Sequence, residues 1–135
     1  MAWQLEQGLP TGATAFSSPG GSTALKFNAE WALPNDMSLG LQPGLIRVRN
    51  EAGNWYVAPS LAITLGKNWT PAFRTVVELI APQITSKTNG GNVAFLNLGT
   101  TFRLTEMFEL EATYARSLNK NASENNFAAG VNVKF

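Results

Sequence analysis

Along most of this chain, every second residue is apolar and the residues between them are small, polar or charged. In the segment LKFNAEWAL, residues 25–33, Leu, Phe, Ala, Trp and Leu alternate with Lys, Asn, Glu and Ala. Successive side chains of a β-strand point to opposite sides, so a two-residue period is that of a strand with two unlike faces. The alternation therefore predicts an all-β protein.

Eight such segments can be placed between turn signals. They begin near Trp3, Leu25, Leu39, Trp55, Phe73, Ala94, Phe108 and Asn126. Their connections alternate in length: LPND, GKNWTP and LTEM are short, whereas TGATAFSSPGG, NEAGN, ITSKTNGG and SLNKNASENN are mostly longer and rich in Gly, Asn, Ser and Thr. In the third segment the alternation changes parity, so that Arg47 and Arg49 take the odd positions. A β-bulge near Gly44 is predicted to switch the two faces there.

The surface chemistry of the chain is unusual for a water-soluble domain. Charged residues make up 14% of it, against about 25% in typical soluble domains. It nevertheless contains no apolar run near the ~18 residues that a membrane-spanning helix needs. A membrane-spanning barrel satisfies both observations, because its strands alternate. We therefore predict one domain, residues 1–135, folded as an eight-stranded antiparallel up-and-down transmembrane β-barrel.

Side-chain volume predicts which face lies inside such a barrel. The interior of an eight-stranded barrel is just wide enough for side chains to fill it, and the apolar face is too bulky to fit. We therefore expect that face to contact lipid, with aromatic rings at both boundaries. The predicted girdle comprises Trp3, Trp31, Trp69, Phe73, Phe102, Phe108 and Phe135 near the short turns, and Trp55, Tyr114 and Phe127 near the long loops. The alternative is a soluble sandwich or barrel with these rings in its core, but its outer surface would need more charge.

The charged residues of the strands are then predicted to face the lumen. Unpaired buried charge costs several kcal/mol, so these groups should pair and form hydrogen bonds. We expect the pairs to plug the barrel, although a path for ions or solutes is the alternative. The predicted lumen network is Glu6, Lys26, Glu30, Arg47, Arg49, Arg74, Glu78, Arg103, Glu109, Glu111 and Lys134.

The composition disfavours catalysis. The chain has no cysteine and no histidine, so it lacks the thiol nucleophile and the commonest general base. Glu109 and Glu111 share a face and could form an acid pair, but lumen carboxylates balanced by arginines are the simpler interpretation. We predict no catalytic residues, no cofactor and no metal site. A net charge of +1 gives no indication of nucleic-acid binding.

From about Leu33 onward the chain resembles the C-terminal part of a family of Gram-negative outer-membrane proteins linked to transport in the phenol-degradation meta-pathway. The stretches that carry the resemblance are LPNDMSLGLQPGLI, WTPAFRTVVELIAP and LNLGTTFRLTEMFELEATYARSLNKNASENNFAAGVNVKF. The final GVNVKF, with Val131, Val133 and Phe135, is similar to the C-terminal signal that the barrel-assembly machinery recognises. The resemblance implies a bacterial outer-membrane location and transport of small or hydrophobic solutes. The implied partners are the assembly machinery and outer-membrane lipid, lipopolysaccharide or phospholipid, or detergent in its place.

Members of that family are generally longer and have more strands. No signal peptide precedes Trp3, so we expect a mature form or an engineered chain with an added Met. The chain could be a natural minimal barrel, a portion of a larger one or a redesigned barrel, and we expect a monomer. Two other functions stay open: a structural or adhesive barrel acting through its external loops, and a soluble ligand-binding barrel.

Overall fold

The computed structural model describes residues 1–9, 21–50, 52–120 and 125–134, and within these ranges the chain forms eight β-strands and one 3-10 turn, Lys87–Asn89. The strands are β1 (Ala2–Gly8), β2 (Ser22–Leu33), β3 (Met37–Arg49), β4 (Trp55–Thr70), β5 (Phe73–Gln83), β6 (Val93–Arg103), β7 (Phe108–Ser117) and β8 (Asn126–Val133). Over the same ranges there is no α-helix, and no helix is long and apolar enough to cross a membrane.

All eight strands belong to one sheet, in the order β1-β2-β3-β4-β5-β6-β7-β8. Each strand is antiparallel to the next. The prediction of an all-β, up-and-down, eight-stranded antiparallel arrangement is confirmed. Short turns join β2 to β3, β4 to β5 and β6 to β7. The four other connections lie at the opposite end of the strands, as the alternating connection lengths predicted.

Local chemistry accounts for the three short turns. Asn35 and Asp36 have φ angles of 60° and 55°, in the left-handed region that Asn and Asp tolerate better than other non-glycine residues. In the next two turns a threonine hydroxyl accepts backbone N–H groups. Thr70 Oγ1 accepts from Phe73 at 3.0 Å, and Thr105 Oγ1 accepts from Phe108 at 3.1 Å. These hydroxyl bonds fix the chain reversal.

The sheet is open, whereas the sequence predicted a closed barrel. Over the described residues β1 pairs with β2 and β8 pairs with β7, and β1 and β8 do not pair with each other. These are the two shortest strands, with 7 and 8 residues against 16 in β4. Each therefore offers few backbone groups for a closing seam.

The predicted bulge near Gly44 is wrong. β3 pairs with β4 without a shift from Met37–Lys67 to Arg49–Trp55, so the side chains keep alternating through Gly44. Arg47 and Arg49 consequently lie on the apolar face and not in the predicted lumen network. The misleading signal came from Ile46 and Val48, which occupy the polar face opposite Ala58 and Tyr56.

The sheet has almost no core. The buried hydrophobic residues of the described part are three alanines, Ala24, Ala29 and Ala58. Large apolar side chains stay exposed, among them Trp3 at 72% and Phe127 at 70%. The whole chain exposes 9524 Å², whereas a folded monomer of its mass exposes about 6,900 Å². The apolar face is therefore uncovered.

Candidate functional site: the polar face of the sheet

One face of the sheet collects polar side chains from every strand. We call it the polar face and the opposite one the apolar face. Cross-strand partners share a face, so the pairing register assigns each strand residue to one of the two. Representatives of the polar face, one from each strand, are Glu6, Lys26, Gln42, Thr64, Glu78, Asn97, Glu111 and Asn132.

The other predicted lumen residues of the strands do lie on this face. They are Glu6, Lys26, Glu30, Arg74, Glu78, Arg103, Glu109 and Glu111. Lys134 follows the last residue of β8, in step with Asn132. The face thus carries five carboxylates and, with Lys134, four cations.

The structure brings four residues of the predicted lumen network together in two pairs. Lys26 Nζ lies 2.8 Å from Glu6 Oε1, and Arg103 Nε lies 3.9 Å from Glu109 Oε2. All four side chains are at least a quarter exposed, so each pair contributes at most about 1 kcal/mol to stability. Over the described residues the charges form separate pairs and not one continuous network.

Other charged groups on the polar face are held by neutral side chains. The Thr64 hydroxyl donates to Glu78 Oε1 at 3.0 Å, and Asn97 Nδ2 donates to Glu78 Oε2 at 3.2 Å. Asn132 Nδ2 donates to Glu111 Oε2 at 3.3 Å. Sequence reasoning expected hydrogen bonds to these charges but named no neutral partners, although Thr64, Asn97 and Asn132 share the parity of the glutamates.

Arg74 also has a neutral partner, which lies two strands away. Its Nη2 atom donates to Ser38 Oγ at 3.3 Å, which joins β5 to β3 over the intervening strand β4. Ser38 pairs with Gly66 of β4, so the arginine spans a position that carries no side chain.

Glycines give these long side chains room to lie along the sheet. In the register Lys26 faces Gly44, Glu30 faces Gly40 and Glu111 faces Gly130. A Cβ atom on Gly44 would stand 2.9 Å from Lys26 Cγ, and one on Gly130 would stand 2.8 Å from Glu111 Oε1. Both distances are shorter than a normal contact. The polar face therefore combines long charged side chains with glycines on the adjacent strand.

The polar face contains a row of clefts. A cleft of about 380 Å³ is lined from Ala2 of β1 to Glu78 of β5, with Glu30, Gln42 and Arg74 between them. A second, of about 320 Å³, shares Glu78 and continues to Asn97, Thr101, Glu111 and Thr113. Such a surface can hydrogen-bond water and small polar solutes. Over the described residues no group of three Asp, Glu, His or Cys side chains could hold a metal ion.

The predicted girdle residues lie at the two ends of the strands. Trp3 packs against Phe27 with ring centroids 5.0 Å apart, and Phe73 against Phe102 at 6.3 Å. Near the short turns lie Trp31, Trp69, Phe73, Phe102 and Phe108, and toward the other end of the strands lie Trp55, Tyr114 and Phe127. Trp3 is near the start of β1, but it pairs with Phe27, six residues before the end of β2. Phe135 lies outside the described residues. Val131 and Val133, from the predicted assembly signal, belong to β8 opposite Leu110 and Phe108.

Comparison of the chain with protein-family models, with curated proteins and with solved structures gives no match. The resemblance to the phenol-degradation transport family stays a prediction, and the function has to be argued from the two faces of the sheet.

Proposed function

We propose that this chain is a non-enzymatic outer-membrane β-barrel protein whose apolar face contacts lipid and whose polar face lines the interior. One observation carries the proposal. Large apolar side chains are exposed on a single face of the sheet, while the strand carboxylates of the described residues all lie on the other face.

Exposure of this size needs a covering medium. The largest apolar patch on a soluble monomer is about 300–600 Å². Here one face exposes apolar side chains from strand after strand, including Leu5, Leu45, Val57, Leu98 and Val131. Burying each such side chain is worth about 1.5–3 kcal/mol, and hydrocarbon can supply that burial over the whole face.

The height of the apolar band fits an outer membrane. Along β3 and β4 the apolar residues of this face lie between two cations, Arg47, which pairs with Val57, and Lys67. At ~3.4 Å per residue, β4 rises about 34 Å between those positions. A strand tilt of about 40° reduces this to about 26 Å along the membrane normal, close to the ~25 Å band of outer-membrane barrels.

Insertion requires the edges of β1 and β8 to pair. Unpaired backbone N–H and C=O groups cost several kcal/mol each in hydrocarbon, so spanning sheets are closed. We propose that the edges pair in the membrane, which completes the barrel.

Within the barrel, we propose transport of small or hydrophobic solutes through a lumen that its charged side chains largely close. The support comes from the polar face, where Lys26 lies over Gly44 and Arg74 lies beside Gly66, so that long charged side chains occupy space above the sheet. The resemblance to the transport family adds to this support.

Reconstitution tests the membrane proposal. The protein should fold into phosphatidylcholine vesicles, resist extraction by alkaline carbonate, and migrate differently in gels with and without boiling. A heat-denatured sample added to the same vesicles is the control, and it should be extracted. A chain that stays monomeric and folded in buffer without detergent, and does not partition into vesicles, would favour a soluble ligand-binding barrel and overturn the proposal.

A further inference from the structure

We propose that Arg47 and Arg49, whose guanidinium groups both lie over the Trp55 ring, bind the phosphate of an anionic lipid headgroup. The inference rests on the proposed membrane location and adds a ligand to it. The site lies on the lipid-facing surface, outside the interior of the barrel.

The geometry joins two guanidinium groups to one ring. Arg47 pairs with Val57 and Arg49 pairs with Trp55. Their guanidinium carbons lie 4.5 Å and 4.7 Å from the centroid of the Trp55 ring. Contacts of this kind hold a guanidinium by its attraction to the ring face. Two like charges thus lie against one tryptophan ring, an arrangement that an anion would stabilise.

The charge of the apolar face has one sign. Its charged strand residues, over the described part of the chain, are Arg47, Arg49, Lys67 and Arg116, and no carboxylate accompanies them. Among the same residues no carboxylate comes within 4.0 Å of either Arg47 or Arg49. An anion from the surroundings of this face would complement the pair.

The position of the pair selects a lipid. Arg47 is two residues beyond Leu45, which is 52% exposed in the apolar band, and Val57 beside it is 59% exposed. A phosphate held by the guanidinium groups would leave its acyl chains along these side chains. The guanidinium fork matches phosphate oxygens with two parallel hydrogen bonds. A lipid phosphate satisfies both the charge and the apolar neighbours, whereas free phosphate satisfies only the charge.

Binding measurements on folded protein in dodecyl maltoside micelles test the site. Fluorescently labelled phosphatidic acid is the probe, with labelled phosphatidylcholine and inorganic phosphate as comparisons. Each Lys or Arg near an anionic lipid surface is worth about a factor of five in binding. Arg47→Gln/Arg49→Gln should therefore weaken phosphatidic acid binding about 30-fold.

The matched control removes the same amount of charge at the same end of the strands. Lys87→Gln/Lys120→Gln lies in the connections and off the apolar face, and it should change binding less than twofold. Phosphatidylcholine should bind wild type and both variants alike, and inorganic phosphate should compete only weakly with phosphatidic acid. Heat-dependent gel migration checks that each variant folds. If the double variant does not fold, Arg47→Gln and Arg49→Gln decide singly, each with an expected loss of about fivefold.

The outcomes separate this inference from the proposed function. A wild-type chain that does not enter phosphatidylcholine vesicles overturns the membrane proposal and the site with it. A chain that enters vesicles but binds phosphatidic acid equally in wild type and Arg47→Gln/Arg49→Gln overturns the lipid site alone. An equal loss of phosphatidic acid binding in Lys87→Gln/Lys120→Gln would also overturn the site, because binding would then depend only on the total charge of the protein. Strong competition by inorganic phosphate would mean an anion site without lipid selectivity and would likewise overturn it.

Discussion

Glycines on the polar face determine where the charged side chains can lie. At Gly66 an added Cβ would stand 2.7 Å from Arg74 Nη2 and 2.8 Å from Ser38 Oγ. The missing side chain lets the Arg74 guanidinium reach Ser38 across β4. At Gly99, by contrast, an added Cβ would meet its nearest atoms at 3.7 Å, an ordinary contact.

This difference predicts unequal effects of the same substitution. Gly66→Ala should displace Arg74 or Ser38 and lower the free energy of unfolding by about 1–2 kcal/mol. Gly99→Ala, the matched control, should change it by less than about 0.5 kcal/mol. Urea unfolding of both variants in vesicles measures the two values. Equal destabilisation, or a larger loss for Gly99→Ala, would contradict the described packing of Arg74.

Parity in the sequence predicts the face of most individual residues but not of all. Glu30, Glu78 and Glu111 lie where their alternation with apolar neighbours placed them. Arg47 and Arg49 do not, because Ile46 and Val48 on the polar face imitate a change of parity. Only the pairing of β3 with β4 shows that the alternation continues. Hydrogen-bond partners such as Thr64 were missed because neutral side chains carry no pairing signal in the sequence.

At the scale of strands, turn residues indicate where a strand ends, but no local feature indicates how two neighbouring strands are aligned. The Thr70 and Thr105 turns each begin with a hydroxyl that accepts two backbone N–H groups. The register shifts between Asn68 and Thr70 and between Ile80 and Gln83 have no such local signature. They depend on how two whole strands fit together, which a single strand cannot specify.

The open edges yield a prediction about β1 and β8. If the two strands pair in the membrane, cysteines at Leu5 and at one of Ala129, Val131 or Val133 should form an intramolecular disulfide on oxidation. The chain has no native cysteine, so each engineered pair is unambiguous. Non-reducing gels of vesicle samples measure the cross-link.

Controls make this result specific. Leu5→Cys combined with Leu98→Cys, which lies on β6, should not cross-link. Cross-linked dimers in place of monomers would show that the edges pair between chains, and the absence of any cross-link would contradict closure through β1 and β8.

At the scale of the whole molecule, the corrected placement of two arginines changes the expected interior. The polar face has Glu6, Glu30, Glu78, Glu109 and Glu111 against Lys26, Arg74, Arg103 and Lys134. The sequence alone predicted an excess of bases in the lumen, whereas the described faces give an excess of one carboxylate. The sign of a lumen charge acts on permeating ions over a confined path.

Ion selectivity therefore tests which charges line the interior. Any current through the isolated barrel in a planar bilayer should be small and should favour K⁺ over Cl⁻. Lys26→Gln/Arg74→Gln should raise both the conductance, by about twofold or more, and the preference for K⁺, because it removes two lumen cations. Reversal potentials in a KCl gradient measure the selectivity.

The matched control removes the same charge from the other face. Arg47→Gln/Arg49→Gln should leave the reversal potential unchanged, because these side chains lie on the apolar face. A shift as large as that of Lys26→Gln/Arg74→Gln would place them in the lumen and contradict the described register. Large, steady currents through the unmodified protein would contradict a lumen that side chains largely close.

Volume and charge allowed the sequence to predict the two faces of this molecule, but not the closure of the sheet. The exposure of Trp3, Val57 and Phe127 follows from an apolar face that no second layer covers. Closure depends on the tilt and stagger of all eight strands together. No local pattern encodes that quantity, and the shortest strands lie at the two open edges of the sheet.

A nitroxide scan of β4 in phosphatidylcholine vesicles tests most directly whether the apolar face meets hydrocarbon. Each residue from 57 to 66 is replaced singly by a labelled cysteine, and collisions with oxygen and with a water-soluble nickel chelate are measured. Lipid contact predicts high oxygen accessibility at every odd position and low values at every even one, with the nickel chelate excluded from the odd positions. No alternation, or oxygen accessibility highest at Ala58, Ala62 and Thr64, would contradict a lipid-facing apolar surface.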